Sequence, residues 1–223
     1  MKLLNFFVLS FLLFTSLGFA QPIERLRRDI KLPSQQMIEK QDIVNPAVAD
    51  TAGAFSAHAG ATSAAAVVIS SFLAQPSVPR NVLITPAGTT GDVESCVVTV
   101  TGKNIFNQTI TETLTFAANA STATTGAKAF KSVSSVAFPA DCESGGFAAT
   151  WSMGYGEKLG LSHCLDFAGN WVFSTVAGVY ETTRATVVAD ADEIEKNTAD
   201  FNGTMDAAAD FSAFYIQNFR CNP

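Results

Sequence analysis

At 223 residues, with 48% hydrophobic and only 15% charged residues, the chain holds enough apolar material for one sizeable domain. Its net charge is −6; without residues 1–28, which include Lys2, Arg25, Arg27, Arg28 and Glu24, it carries 10 basic and 19 acidic residues, net −9. That balance offers no electrostatic route to nucleic acid or anionic lipid, so neither is expected as a partner.

Met1-Lys2 is a short basic start, Leu3 to Leu17 is almost wholly apolar, and Gly18-Phe19-Ala20 places small residues at a cleavage site before Gln21. This pattern predicts a secretory signal peptide over 1–20, cleaved after Ala20; the apolar run is too short for a spanning helix of roughly 20 residues. Arg25-Leu26-Arg27-Arg28 follows, a cluster of the kind that dibasic processing proteases cut, so 21–28 reads as a pro-segment ending at Arg28. Residues 29–46 are polar and mixed, and 47–66 are rich in Ala, Gly, Ser and Thr. Together they predict a flexible N-terminal arm over 29–66, ahead of a β domain over 67–223.

Within that domain the strongest local signal is 92–117. Cys96 to Thr101 is β-branched, and Thr109, Thr111, Thr113 and Thr115 alternate with Ile110, Glu112, Leu114 and Phe116. A period of two, with a turn-rich stretch from Gly102 to Asn107, predicts an antiparallel hairpin. Glu112 falls on the apolar face, which calls for a sheet edge or a partner. Further strands are expected near 82–85, 128–138, 147–153, 158–164, 171–176, 179–189 and 211–219, with a short helix near 190–197. Many short strands separated by Gly, Pro, Asn and Asp predict an all-β, antiparallel sandwich or a jelly-roll-like barrel.

Four cysteines in an exported chain imply two disulfides in one of three connectivities. If 147–153 and 158–164 form a hairpin about Gly154-Tyr155-Gly156, Cys142 meets Cys164 and Cys96 is left to Cys221. If 154–157 is only a bulge, Cys96–Cys164 becomes the natural pair. Three sequons, at Asn107, Asn119 and Asn202, would accept glycans if exposed in a glycosylating host.

Chemistry-bearing residues are sparse. A nucleophilic triad has only His58, in the arm, and His163, beside Cys164 and Asp166, to draw on. A pair of carboxylates for glycoside hydrolysis would have to come from Glu112 and Glu157, and only Trp151 and Trp171 are available to stack a sugar. The run Asp190-Ala191-Asp192-Glu193-Ile194-Glu195 lacks the sixth-position glycine of an EF-hand loop and reads as a solvated helix start. No metal, nucleotide or other cofactor is expected.

One long stretch resembles a known group. Pro76-Ser77-Val78-Pro79-Arg80-Asn81-Val82-Leu83-Ile84-Thr85-Pro86, Gly88-Thr89-Thr90-Gly91-Asp92-Val93, Val98-Thr99-Val100-Thr101-Gly102 and Thr109-Ile110-Thr111-Glu112-Thr113 come in that order. Gly126 to Val133, Gly156 to Leu161 and Asp190 to Thr198 follow. Together, over about 75–217, they are similar to small virion structural proteins of tailed bacteriophages and prophages. The resemblance implies a non-enzymatic β-sandwich that packs against copies of itself or a shell. The signal peptide and the four cysteines depart from that group. The expectation is therefore a secreted, disulfide-stabilised, non-catalytic structural or binding protein that self-associates or binds a surface macromolecule. A secreted carboxylate-dependent hydrolase, or a secreted toxin or effector, is the alternative.

Overall fold

The computed structural model describes residues 37–59, 66–89, 91–143 and 149–217. The expected signal peptide, the pro-segment with its processing residues Ala20 and Arg28, and Cys221 lie outside the described residues. The strands belong to the unit that begins at Ile38. In chain order they are β1 (Ile38–Ile43), β2 (Asp50–Ala59), β3 (Val67–Ile69), β4 (Arg80–Ala87), β5 (Cys96–Lys103), β6 (Thr109–Phe116) and β7 (Thr124–Thr125). β8 (Ser132–Phe138), β9 (Thr150–Gly160), β10 (Trp171–Val176), β11 (Val179–Tyr180), β12 (Thr186–Val188), β13 (Thr198–Asp200) and β14 (Phe211–Ile216) complete them. The fold is all-β and antiparallel, as the alternation predicts.

Three sheets share two hydrophobic cores. The orders are β1-β14-β10-β11, then β12-β13-β9-β4-β7 with β2 also on β9, then β3-β8-β5-β6. β9 is the common element. Its first half carries Trp151, Met153 and Tyr155 into a core shared with Val98, Val100, Leu114, Phe116 and Phe138 of the β5 sheet. Its end carries Leu159 into a second core with Trp171, Phe201, Phe211 and Tyr215. Trp151 is fully buried and meets Phe116 edge-on at 5.1 Å and Phe138 at 5.0 Å, an arrangement that suits the ring quadrupoles.

Arg80 sits at the seam between the cores and is only 1% exposed. Its Nε donates to Gly156 O (2.6 Å), one Nη to Ala47 O (2.6 Å) and the other to Met205 Sδ (3.4 Å). Its backbone exchanges both hydrogen bonds with Phe130. Burial draws the guanidinium below its usual range, and Glu157 acts in the opposite sense.

The predicted hairpin over 92–117 is present in full register, Cys96 opposite Phe116 through Lys103 opposite Thr109. Glu112 satisfies both conditions set by its place in the pattern. β6 ends its sheet order, and the carboxylate accepts from the backbone of Ala127 (2.5 Å) and Lys128 (3.2 Å).

Five expectations are corrected. The stretch read as an arm supplies β1 and β2, and Ala54 and Phe55 of β2 are buried. Its small side chains fit because β2 lies close against β9. Residues 147–164 do not form a hairpin: β9 runs unbroken from Thr150 to Gly160. Gly154 and Gly156 do not have the positive φ of a reversal. They are small for close approach instead: a Cβ at Gly154 would collide with Asp50 O, and one at Gly156 would lie 2.5 Å from Asn81 Oδ1.

The third correction follows from the second. A straight β9 carries Cys164 away from Cys142, and the disulfide is Cys96–Cys142, with Cα atoms 5.0 Å apart. The Val93–Glu143 bridge and the Glu94 N to Cys142 O bond (3.0 Å) hold the two cysteine segments together. The expected pairs Cys142–Cys164 and Cys96–Cys221, and the alternative Cys96–Cys164, are therefore replaced. Cys164 is itself disulfide-bonded. Last, the acidic stretch forms a single 3-10 turn, Ile194–Lys196, and 179–189 divides into β11 and β12.

Candidate interaction surface

Two lysines pair with three carboxylates of the acidic run. Lys128 Nζ lies 3.2 Å from both Glu193 and Glu195, while Lys196 Nζ lies 2.6 Å from Glu193 and 3.7 Å from Asp190. Asp190 Oδ1 accepts from the backbone of Asp192 (2.9 Å) and Glu193 (2.8 Å), and those bonds hold its carboxyl below the usual range. Among the described residues no group of three or more His, Cys, Asp or Glu is placed to hold a metal.

Glu112 and Glu157 serve different neighbourhoods. The charges that act on Glu112 are Lys128 and Lys158, and burial raises its carboxyl above the usual range; Glu157 is exposed and acts on Arg80. Trp151 and Trp171, at 0% and 3% exposure, are core residues and present no ring to a sugar. His58 is exposed on β2, with Nδ1 2.6 Å from Ala59 O.

His163 belongs to a polar cluster that the spacing did not reveal, because its members come from three separate strand regions. Its Nδ1 lies 3.1 Å from Ser162 Oγ and 3.5 Å from Tyr215 OH. Tyr215 OH donates to Gln41 Oε1 (3.0 Å), which also accepts from Ser162 N (2.8 Å), and Gln41 Nε2 donates to Gly160 O (3.1 Å). Burial pushes the Tyr215 phenol up to about 12, so it remains a proton donor at neutral pH. The cluster braces β1 against the end of β9.

The sequons fall in different settings. Asn107 and Asn119 are exposed at loop positions with φ of 62°, and each uses its side-chain oxygen, accepting from Lys131 Nζ (3.0 Å) and Gly91 N (2.6 Å). Asn202 instead uses its nitrogen, donating to Thr183 O (3.0 Å) and Arg184 O (2.9 Å). A glycan is attached through that nitrogen, so the first two sites are the more open to modification.

The surfaces of the sheets differ more than any of these sites. The outward face of the β5 sheet carries Thr99, Thr101, Thr111 and Thr113 in facing pairs. The outward face of the β14 sheet carries an apolar row beside Lys40, Asp42, Thr175 and Ser212. Phe211, Ala213 and Tyr215 point into the core, which turns Phe214 and Ile216 outward. Phe173 stacks on Phe214 at 4.1 Å with 16° between the rings, and Tyr180, 59% exposed, lies 5.9 Å from Phe173. Ile216 is paired with Ile38, 58% exposed. An apolar row thus crosses all four strands of this sheet.

Comparison of the chain with protein-family models, curated proteins and solved structures found no match.

Proposed function

We propose that this is a secreted, disulfide-stabilised, non-catalytic structural or binding protein that works through the outward face of its β14 sheet. The observation that carries the reading is the row Tyr180, Phe173, Phe214, Ile216 and Ile38. Ile38 and Tyr180 are exposed and Phe173, Phe214 and Ile216 half-buried; contiguous apolar surface of this kind marks contact sites, because covering it lowers the free energy. Scattered exposed hydrophobes would carry no such meaning. The virion-like segments agree with this role, since subunits of that kind act by packing rather than by chemistry. The signal-peptide pattern of residues 1–20 supports a contact made outside the cell.

Sedimentation velocity of the secreted chain, alone and after pull-down from its native medium, tests the reading. The chain is expected to sediment as an oligomer or to retain a macromolecular partner. The double substitution Phe173→Lys, Phe214→Lys, which alters outward positions only, is expected to abolish that association while leaving the circular dichroism spectrum unchanged. Association that survives the double substitution would remove this face from the function.

A further inference from the structure

We propose that two copies of the chain join edge to edge through β1, antiparallel about a two-fold axis passing at Gln41. This deepens the contact reading above by naming one partner and one geometry. β1 ends its sheet order and, among the described residues, pairs with β14 alone. Its ladder with β14 is unbroken from Ile38–Ile216 to Ile43–Phe211, so the strand has no bulge to bend its open edge away. The Gln41 cluster fixes the strand to β9 and β14, so little order has to be gained on pairing.

The outward residues along β1 and its continuation are Ile38, Lys40, Asp42 and Val44. Ile38 and Val44 are 58% and 62% exposed, and the side chains of Lys40 and Asp42 are each 52% exposed. Read against itself in the antiparallel sense with Gln41 on the axis, this row is self-complementary. Ile38 meets Val44 of the second copy, Lys40 meets its Asp42, and each contact occurs twice by symmetry. The two neighbouring registers that keep the same faces outward put Lys40 opposite Lys40, or Asp42 opposite Asp42. Directly opposed like charges destabilise an antiparallel pair and opposite charges stabilise it. A lone edge lysine would only discourage pairing; here Asp42, two residues on, selects a single register.

Asp42 has capacity for the second lysine. Lys40 Nζ (2.9 Å) and Ser212 Oγ (2.6 Å) both reach its Oδ1, which leaves Oδ2 for the partner. A groove of about 340 Å3, bordered by Asp42, Val44, Val78 and Ile105, opens along the strand. Joining two β1 strands would make one eight-stranded sheet in which the apolar row of each copy, ending at Ile38, is extended by Val44 of the other.

A charge swap tests the register. Sedimentation equilibrium on the secreted chain is expected to give a dimer, weakened about tenfold by Lys40→Asp or by Asp42→Lys, because each creates two like-charge oppositions. The double variant Lys40→Asp, Asp42→Lys is expected to dimerise as the unchanged protein does. Melting temperatures of the three variants control for the lost Lys40–Asp42 pair within one copy. Single swaps that leave the dimer unchanged, or a double swap that fails to restore it, would overturn the edge geometry. If Phe173→Lys, Phe214→Lys breaks association while the swaps do not, the contact reading stands and the β1 pairing falls. A chain monomeric at millimolar concentration refutes the pairing, and if it also retains no partner the contact reading falls with it.

Discussion

Asn197 shows how one polar side chain can organise a region with little regular structure. It is fully buried. Its Oδ1 accepts from Leu165 N (2.9 Å) and Asp190 N (3.0 Å), and its Nδ2 donates to Asp190 O (2.8 Å), Glu193 O (2.9 Å) and Cys164 Sγ (3.2 Å). Every site on the amide is used, so the acidic loop and the segment after β9 are fixed to one point. Asn197→Ala is expected to cost roughly 3 kcal/mol in urea unfolding, because several buried groups lose their partners at once. Asn197→Asp should cost as much, since its second oxygen would face the carbonyls of Asp190 and Glu193. Glu112 makes a different case. Burial raises its folded pKa above the ordinary 4.5, so the fold holds the proton more tightly than the unfolded chain does. The contribution of Glu112 to stability is complete below about pH 4.5 and is lost as pH rises through the folded value. Glu112→Gln keeps an acceptor for Ala127 and Lys128 but removes that slope. Urea midpoints from pH 4 to 7 should move in favour of the glutamine variant as pH rises. Glu112→Ala should lose about 1 kcal/mol throughout, because it removes the acceptor.

β9 is the element on which the fold turns, and its two inner glycines mark contacts rather than bends. Asp50 pairs with Tyr155, and the backbone of β2 passes directly over Gly154. Gly154→Ala places a methyl group against the backbone of Asp50 and Thr51, with no flexible side chain to yield. The expected outcome is separation of β2 from β9, with a loss of about 3 kcal/mol or more and new proteolytic cleavage between Asp50 and Ala59. Cleavage as slow as in the unchanged protein would show that the sheet can relax at this point. Gly178 makes the contrast, because its φ of +76° follows Ala177 at +50° in the turn joining β10 to β11. There a glycine does close a hairpin.

For the molecule as a whole, the central problem is holding two cores on one sheet. β9 passes through both, Arg80 ties their seam to the loop before β2, and the Cys96–Cys142 disulfide joins the start of β5 to the segment after β8. Cys96–Cys142 closes a sequence separation of 46 residues, which the chain-entropy model values at about 4 kcal/mol before any strain. With those two joined and Cys164 also bonded, Cys221 is the one cysteine left in the sequence to pair with Cys164. Non-reducing peptide mapping is expected to yield Cys96–Cys142 and Cys164–Cys221 crosslinks. A crosslink between the Cys142 and Cys164 peptides would mean that β9 folds back on itself after all. Reduction should lower the melting temperature by well over 10 °C if both bonds contribute in this way.

The all-β class, the β5–β6 hairpin and the place of Glu112 on an inward face were legible in the chain because each depends on alternation between neighbours. Thr109 to Phe116 states its two faces whatever it packs against. The strands β1 and β2 were not legible, since Asp50–Ala59 has few large side chains and becomes a strand only where Gly154 lets it approach β9. The same holds for the glycines of β9: a Gly-Tyr-Gly triplet permits a turn or a close contact, and only the neighbouring strand decides between them. That choice determined the disulfide pairing, which therefore could not be read from spacing. The candidate surface divides in the same way. Ile38, Lys40, Asp42 and Val44 alternate in the sequence, and so do Phe214 and Ile216. Their gathering on one outward face depends on β1, β14, β10 and β11 being neighbours. Local period is a property of the chain, but adjacency between distant segments is a property of packing.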